Sequence, residues 1–270
     1  MKHLKSSSSD LRRLFERAVT IREIAEPLVS FDTDRDGKTI GAFMDARNFD
    51  VVGLREGGRL AGYVRRKDLK EGPAQGCLTR FREGQVLAES APLSSAIQAL
   101  RDRNELFITV LDQVGGIVTK GDLQKAPVRL WLFGVISLLE MQMLRLIRER
   151  FPHGACMSLL PPGRIDAAKR IFAMRKQRNE EADVSDFSDC LQICDKATIL
   201  LNDSELKALA QSPNTAIDED FFSRLQALRD ALAHSNDILA GRWPELVNLV
   251  EEAEAFLTRL ESASVATNTE

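Results

Sequence analysis

The segment LRDALAHSND, Leu228 to Asp237, sets an arginine, a carboxylate and an imidazole close together as Arg229, Asp230 and His234. A histidine titrates near neutrality and can move protons, and an arginine can stabilise charge that develops on an oxyanion. On a regular helix, five residues turn Arg229 away from His234 by about 140 degrees, so a shared site requires the helix to end between them. The plainer alternative is a structural helix terminus, with His234 at its negative end and Arg229 paired with Glu140 or Asp230. A second set lies in two similar octapeptides, GYVRRKDL at Gly62–Leu69 and GIVTKGDL at Gly116–Leu123, which carry Asp68, Thr119 and Asp122. A carboxylate can accept a pair of neighbouring hydroxyls, while a hydroxyl and helix-start amides can hold phosphate oxygens. Aspartates also cap short helices without any ligand.

The elements that carry these residues differ in the two halves of the chain. The octapeptides recur at an offset of 54 residues, from Gly62 to Gly116. Upstream of each is an amphipathic helical pattern, Thr39–Asn48 and Leu93–Asn104, then an apolar run, Val51–Leu54 and Leu106–Leu111, then a turn, REGGR and DQVGG. Each copy therefore reads as helix, strand, tight turn, strand and short helix, and neither copy buries its sheet face alone. After Pro127 the apolar spacing becomes helical. Helices are expected over Val128–Arg150, Arg164–Glu181 and Phe187–Leu201, from about Asp218 to a stop at Gly241, and from Trp243 onward, followed by a polar tail.

The octapeptides identify the first half by resemblance. They resemble the G-h-h-T/S-x-x-D run that ends the second strand of CBS domains, whose copies pair into a disc. The resemblance covers about residues 14–126, with one copy at about 14–72 and the other at about 78–126. In that family the hydroxyl and the aspartate hold the phosphate and ribose of an adenine nucleotide in the cleft between copies. By that likeness Thr119, Asp122 and Asp68 are the nucleotide-binding candidates, and AMP, ADP or ATP is the regulatory ligand. The first copy departs from the pattern at Arg65, where the second has Thr119, so its cleft either takes extra phosphate or stands empty.

The segment around Arg229 and His234 resembles the motif of HEPN domains, an Arg and a His with four to six residues between them, often with Asn, Asp or His directly after the Arg. The likeness extends over about 128–262, including the run LLEMQMLRLI. The resemblance implies a metal-independent endoribonuclease in which a ribose 2′-hydroxyl attacks the adjacent phosphate. Arg229 and His234 would be catalytic, Asp230 would orient them, and Asn236 would contact phosphate. Both resemblances imply a homodimer, with the apolar helix at Leu130–Leu144 as part of its interface. The fold class expected is thus an α/β CBS-domain pair followed by an all-α, HEPN-like bundle, with a disordered tail at 263–270. The function expected is nucleotide control of RNA cleavage, in a stress or antiviral setting. The alternative is a non-enzymatic nucleotide-responsive regulator whose helical domain is a degenerate dimerisation module.

Composition narrows the classes further. A net charge of −3 gives no sign of a large basic nucleic-acid surface, so RNA contact would be local. The stretch Arg164–Arg178 is a candidate, with Arg164, Lys169, Arg170, Arg175, Lys176 and Arg178 against Asp166, although a solvated helix face beside the acidic run Glu180–Asp189 is the commoner use of such a stretch. Few cysteines, a polar start and apolar runs shorter than the roughly 20 residues of a membrane span lead to an expectation of a cytoplasmic protein with no membrane partner. No metal or required cofactor is expected. Asp32, Asp34 and Asp36 open like a calcium loop, but Phe43 stands where a closing glutamate belongs, and Asp36 reads as a helix cap. Cys190 and Cys194, four apart, lack a second pair at zinc spacing.

Overall fold

The computed structural model describes residues 8–178, 187–211, 217–234, 236–238 and 243–266. It divides into two compact units. One is a sheet unit, Glu16–Val128; the other is a helical unit in which residues Met1–Phe15 join Arg129–Glu270. The first helix, α1 (Ser8–Ala18), spans the boundary between the two sets of residues.

The sheet unit is built twice over. After β1 (Glu26–Pro27), the first copy runs β2 (Ser30–Asp32), α2 (Gly37–Arg47), β3 (Val51–Glu56) and β4 (Arg59–Arg65). After β5 (Thr79–Arg80), the second runs β6 (Val86–Ala88), α3 (Leu93–Ala99), β7 (Glu105–Val110) and β8 (Gln113–Thr119). The copies exchange their leading strands: one sheet has the order β1-β8-β7-β6 and the other β2-β3-β4-β5. Gly62 and Gly116 of the octapeptides are needed at this exchange. A Cβ on Gly62 would collide with the carbonyl of Thr79 on β5, and one on Gly116 would crowd Ile108 and the carbonyl of Glu26 on β1. Ile40, Met44, Val52, Leu54 and Val64 form the core beneath the first copy's helix and sheet.

Two details differ from the sequence reading, and the cap expected at Asp36 is present. The second hairpin turns at Leu111 and Asp112, both at positive φ (50° and 60°), so Gly115 and Gly116 of the expected turn lie within β8. A two-residue hairpin needs left-handed conformers at its tip whatever side chains stand there, and the glycines are used instead for the strand exchange. Helix α3 stops at Ala99 rather than Asn104. Asp36 caps α2, accepting from the Thr39 amide at 3.1 Å, and its Oδ1 accepts from the Gly72 amide at 3.0 Å. Those two amides hold its carboxyl below the usual aspartate range. Among the described residues no cluster of three metal-ligating side chains occurs.

The helical unit contains α4 (Ala126–Arg150, of which Arg129 onward belongs to it), α5 (Pro162–Arg178), α6 (Ile193–Asn202), α7 (Ser204–Ala210), α8 (Glu219–Ala233) and α9 (Trp243–Ala266). Phe221, Leu225, Phe256 and Leu257 meet in its core, with Phe221 and Phe256 edge to face at 5.9 Å. By length and composition α4 could cross a membrane, but 56% of its most apolar window is buried, as in a core helix. The helix expected over Phe187–Leu201 is broken. Residues Phe187–Cys190 form a short 3-10 turn, and α6 restarts after Gln192, whose amide donates to Asp195 at 2.9 Å. An acidic residue three positions into a helix completes such a cap, and this local signal overrides the apolar spacing that ran through it. Helix α7, capped by Asp203, was not anticipated, and α9 continues to Ala266 where a polar tail was expected from 263. The helix stop expected at Gly241 and residues 180–186 of the acidic run lie outside the described residues.

Candidate functional site

Thr119 ends β8 and Asp122 stands three residues on, in the 3-10 turn Lys120–Gln124. The Thr119 amide and hydroxyl both donate to Asp122 Oδ2, at 2.7 and 2.9 Å. The other carboxylate oxygen, Oδ1, pairs with Lys125 Nζ at 2.7 Å. Lys125 also donates to Glu26 Oε1 at 2.9 Å and to the Ile24 carbonyl at 2.8 Å. Burial disfavours the ammonium, yet its hydrogen bonds to Asp122 and Glu26 outweigh that and raise Lys125 above the ordinary lysine value. Asp122 is thus a cap, and it is also part of a polar chain that runs Thr119, Asp122, Lys125, Glu26.

That chain borders a cleft of about 200 Å³ lined by Glu26, Leu28, Val29, Val51, Ile117 and Thr119, with Asn48, Phe49 and Asp50 at the end of α2. Its walls come from both copies: β1 and the start of β3 belong to the first, β8 to the second. The aliphatic side chains make a slot for a flat apolar group, and Thr119, Glu26 and Asp50 supply hydroxyl and carboxylate groups for a polar one. The structure therefore brings Thr119 and Asp122 together. Sequence reasoning missed Glu26 and Lys125, which reach this point only because β1 crosses to the other copy's sheet.

Asp68 is placed differently. It is exposed, in the 3-10 turn Arg66–Asp68, and Arg65 at the position of Thr119 makes no side-chain cap. Arg65 instead binds Glu105, which is 4% exposed, donating from Nε at 3.0 Å. The hydrogen bond to Glu105 raises the arginine's pKa above its ordinary value despite partial burial.

In the helical unit, α8 ends at Ala233, between Arg229 and His234, as a common site requires. His234 is the C-cap, its amide donating to the Asp230 carbonyl at 3.1 Å, and Arg229, Asp230 and His234 are all exposed. Arg229 Nε lies 3.4 Å from Glu140 Oε1, and its Nη1 lies 3.3 Å from Asp230 Oδ1. Glu140 also holds Lys196, 6% exposed, at 3.1 Å. A further residue went unnoticed in the sequence: Arg129 of α4 donates to the carbonyls of Ala231 (2.9 Å), Leu232 (3.1 Å) and Asn236 (2.8 Å). It satisfies the orphan acceptors at the end of α8 and fixes the chain on both sides of His234. Helix termini capped by a distant guanidinium have no local sequence signature.

The basic stretch of α5 is split in its use. Arg164 turns inward to Asp195, 2% exposed, with Nε at 2.6 Å from Oδ1, and Arg175 donates to the Asp189 carbonyl at 2.9 Å. Lys169, Arg170 and Lys176 are exposed. Burial raises the thiol of Cys190 above the usual cysteine range.

No protein-family model matches the chain, and no curated protein matches it. Solved structures similar to it include CBS domain pairs. CBSX2 in complex with AMP aligns with a TM-score of 0.37 at 16% identity, over 42% of this chain and 98% of that one. The CBS domain of the bacterial CNNM/CorC family Mg2+ transporter aligns with a TM-score of 0.36 at 16% identity, over 46% of this chain and 86% of that one. A CBS domain pair in complex with 5′-methylthioadenosine and S-adenosyl-L-methionine gives 0.34 at 16%, over 38% and 95%.

Proposed function

We propose that the sheet unit is a sensor for an adenine nucleotide and that the helical unit is the effector it controls. The observation that carries the sensor reading is the cleft at Thr119, where an aliphatic slot adjoins a hydroxyl, two carboxylates and the Lys125 ammonium. Its size, about 200 Å³, falls below the roughly 300–1,000 Å³ of whole-ligand pockets, which suits a base and ribose held inside with the phosphates at the mouth. Asp122 Oδ1 and Glu26 are the acceptors for ribose hydroxyls, and the Thr119 hydroxyl, which donates to Asp122 here, would turn its single proton to phosphate when the nucleotide binds.

For the effector, the exposed Arg229, Asp230 and His234, held at a helix end by Arg129, support a metal-independent endoribonuclease. His234 would move the 2′-hydroxyl proton, and Arg229 would stabilise charge on the phosphorane oxygens, Asp230 orienting it. Exposed Leu130, Phe133 and Met141 on one side of α4 support a second copy as the partner of this unit. The engagement of Arg229 by Glu140 and Asp230 favours the second reading, a non-enzymatic regulator in which that arginine is structural.

Purified protein incubated with mixed RNA in EDTA, with and without AMP, ADP or ATP, separates the two. Cleavage that survives chelation, responds to nucleotide and vanishes in His234→Ala is the expected result. Equal cleavage in both proteins, or none under any nucleotide, would leave the regulator.

A further inference from the structure

The two copies of the sheet unit match position by position through their strand registers. Val51 pairs with Arg65 as Glu105 pairs with Thr119, Gly53 with Tyr63 as Phe107 with Ile117, and both hairpins carry a register shift at the same place, Leu54/Arg55 and Ile108/Thr109. The exchanged strands match too, Pro27 lying opposite Gly116 as Arg80 lies opposite Gly62. Gly53 donates its amide to the Val29 carbonyl as Phe107 does to that of Gln85, both at 2.8 Å. The cleft-lining residues Thr119, Ile117, Leu28, Val29 and Val51 therefore have as their counterparts Arg65, Tyr63, Phe81, Gln85 and Glu105. Each counterpart is the larger side chain.

These larger side chains are bonded to one another. Arg65 Nε donates to Glu105 at 3.0 Å, and Arg65 Nη2 reaches the Tyr63 hydroxyl at 3.4 Å with the guanidinium 5.4 Å from the ring centre. Gln85 Nε2 donates to the same hydroxyl at 3.1 Å. Tyr63 stacks on Phe81 at 6.0 Å, and both rings lie 4.7 Å from Phe107, which stands where the first copy has Gly53. Tyr63, Gln85, Glu105 and Phe107 are all at most 6% exposed. The rings fill the apolar slot, and the charge pair takes the place of the polar groups of a ligand.

Resting on the nucleotide reading above, we infer that this second cleft is closed from within, so that each chain takes one adenine nucleotide, at Thr119, and not two. Admitting a ligand at the mate would unpair a buried carboxylate and separate three packed rings, whereas the Thr119 cleft opens at no such cost.

The test measures binding of AMP, and separately ATP, to the full chain by calorimetry. The wild type should bind one equivalent, Thr119→Arg none, and the combined variant Tyr63→Ile, Arg65→Thr, Phe81→Leu, Gln85→Val, Glu105→Val two. Two equivalents on the wild type, one remaining on Thr119→Arg, or a folded combined variant that still binds one would overturn the closure while leaving the sensor reading intact. A wild type that binds none while the combined variant binds one would retain the closure and overturn the sensor reading; none on either overturns both. Tyr63 is the chain's single tyrosine, so a ring-labelled tyrosine gives one resonance that reports on the mate cleft without any substitution. It should stay in place when AMP is added, and a saturable displacement of a size that marks contact with the base would overturn the closure even if the combined variant fails to fold.

Discussion

Arg65 of the first copy is bonded to Glu105 of the second, so a charge pair with one member 4% exposed ties the two sheets of the sheet unit together. Breaking a buried pair from the exposed side strands the buried charge. Arg65→Ala should therefore destabilise the unit by about 2 kcal/mol, reduced from the full cost of a buried pair because Arg65 is itself over a third exposed. Glu105→Val should cost less, since the guanidinium it frees can turn to solvent. Urea unfolding of both variants checks the order, and a larger loss for Glu105→Val would reject this account of the pair.

The legibility of this arrangement in the sequence was uneven. The repeat, the strands and the octapeptide glycines were visible because hairpins and strand patterns are local. The exchange of β1 and β5 was not, since two-residue strands carry no periodicity, and with it went Glu26 and Lys125. Arg65 stood out as a departure from Thr119, but its partner Glu105 lies 40 residues away and is a strand residue of ordinary type. In the helical unit α8 ends at Ala233, short of the stop expected at Gly241 and as the geometric condition on Arg229 and His234 requires, while Arg129 and the break before α6 depended on partners or caps that apolar spacing hides.

Asp122 has two uses, and they predict two effects of one substitution. Asp122→Asn replaces an acceptor of the Thr119 amide and hydroxyl and discards the pair with Lys125, which should cost about 1 kcal/mol of stability as other cap losses do. It should also weaken nucleotide binding severalfold in calorimetry. Unchanged affinity would confine Asp122 to the capping role.

Asp36 gives a pH dependence of defined sign. Its folded pKa lies below the ordinary aspartate value because the Gly72 and Thr39 amides donate to the carboxylate. A lowered folded pKa means that the stabilisation is present above the ordinary value, near pH 4, and is lost as the pH falls through the folded one. The stability advantage of the wild type over Asp36→Asn should therefore shrink on acidification below about pH 4. An advantage that is constant from pH 6 to pH 3, read in thermal melts, would contradict this.

Leu111 and Asp112 hold left-handed backbone at the tip of the second hairpin, and Leu111 is 89% exposed, so nothing there recovers the strain through packing. The first hairpin meets the same demand with Gly57 and Gly58. Replacing the pair by Asn-Gly should raise stability by about 1 kcal/mol, with no change in nucleotide binding. A neutral or lower melting temperature would mean the turn is set by something other than its own backbone.

Arg129 offers the sharpest test of whether the end of α8 is a working site. Its guanidinium bonds three carbonyls on either side of His234, at Ala231, Leu232 and Asn236, and charged donors of this kind contribute about 1.5–3 kcal/mol each when removed from buried acceptors, less where water can replace them. Arg129→Ala should lower the stability of the helical unit by about 2 kcal/mol and increase amide exchange around residues 231–236. His234→Ala, at an exposed position, should leave stability within about 0.5 kcal/mol. If RNA cleavage is seated here, Arg129→Lys will restore folding better than turnover, because one ammonium cannot span three acceptors in the geometry of a planar fork. Equal recovery of both would show that the position of His234 does not matter to the reaction, and with that the catalytic reading of Arg229 and His234 would fall.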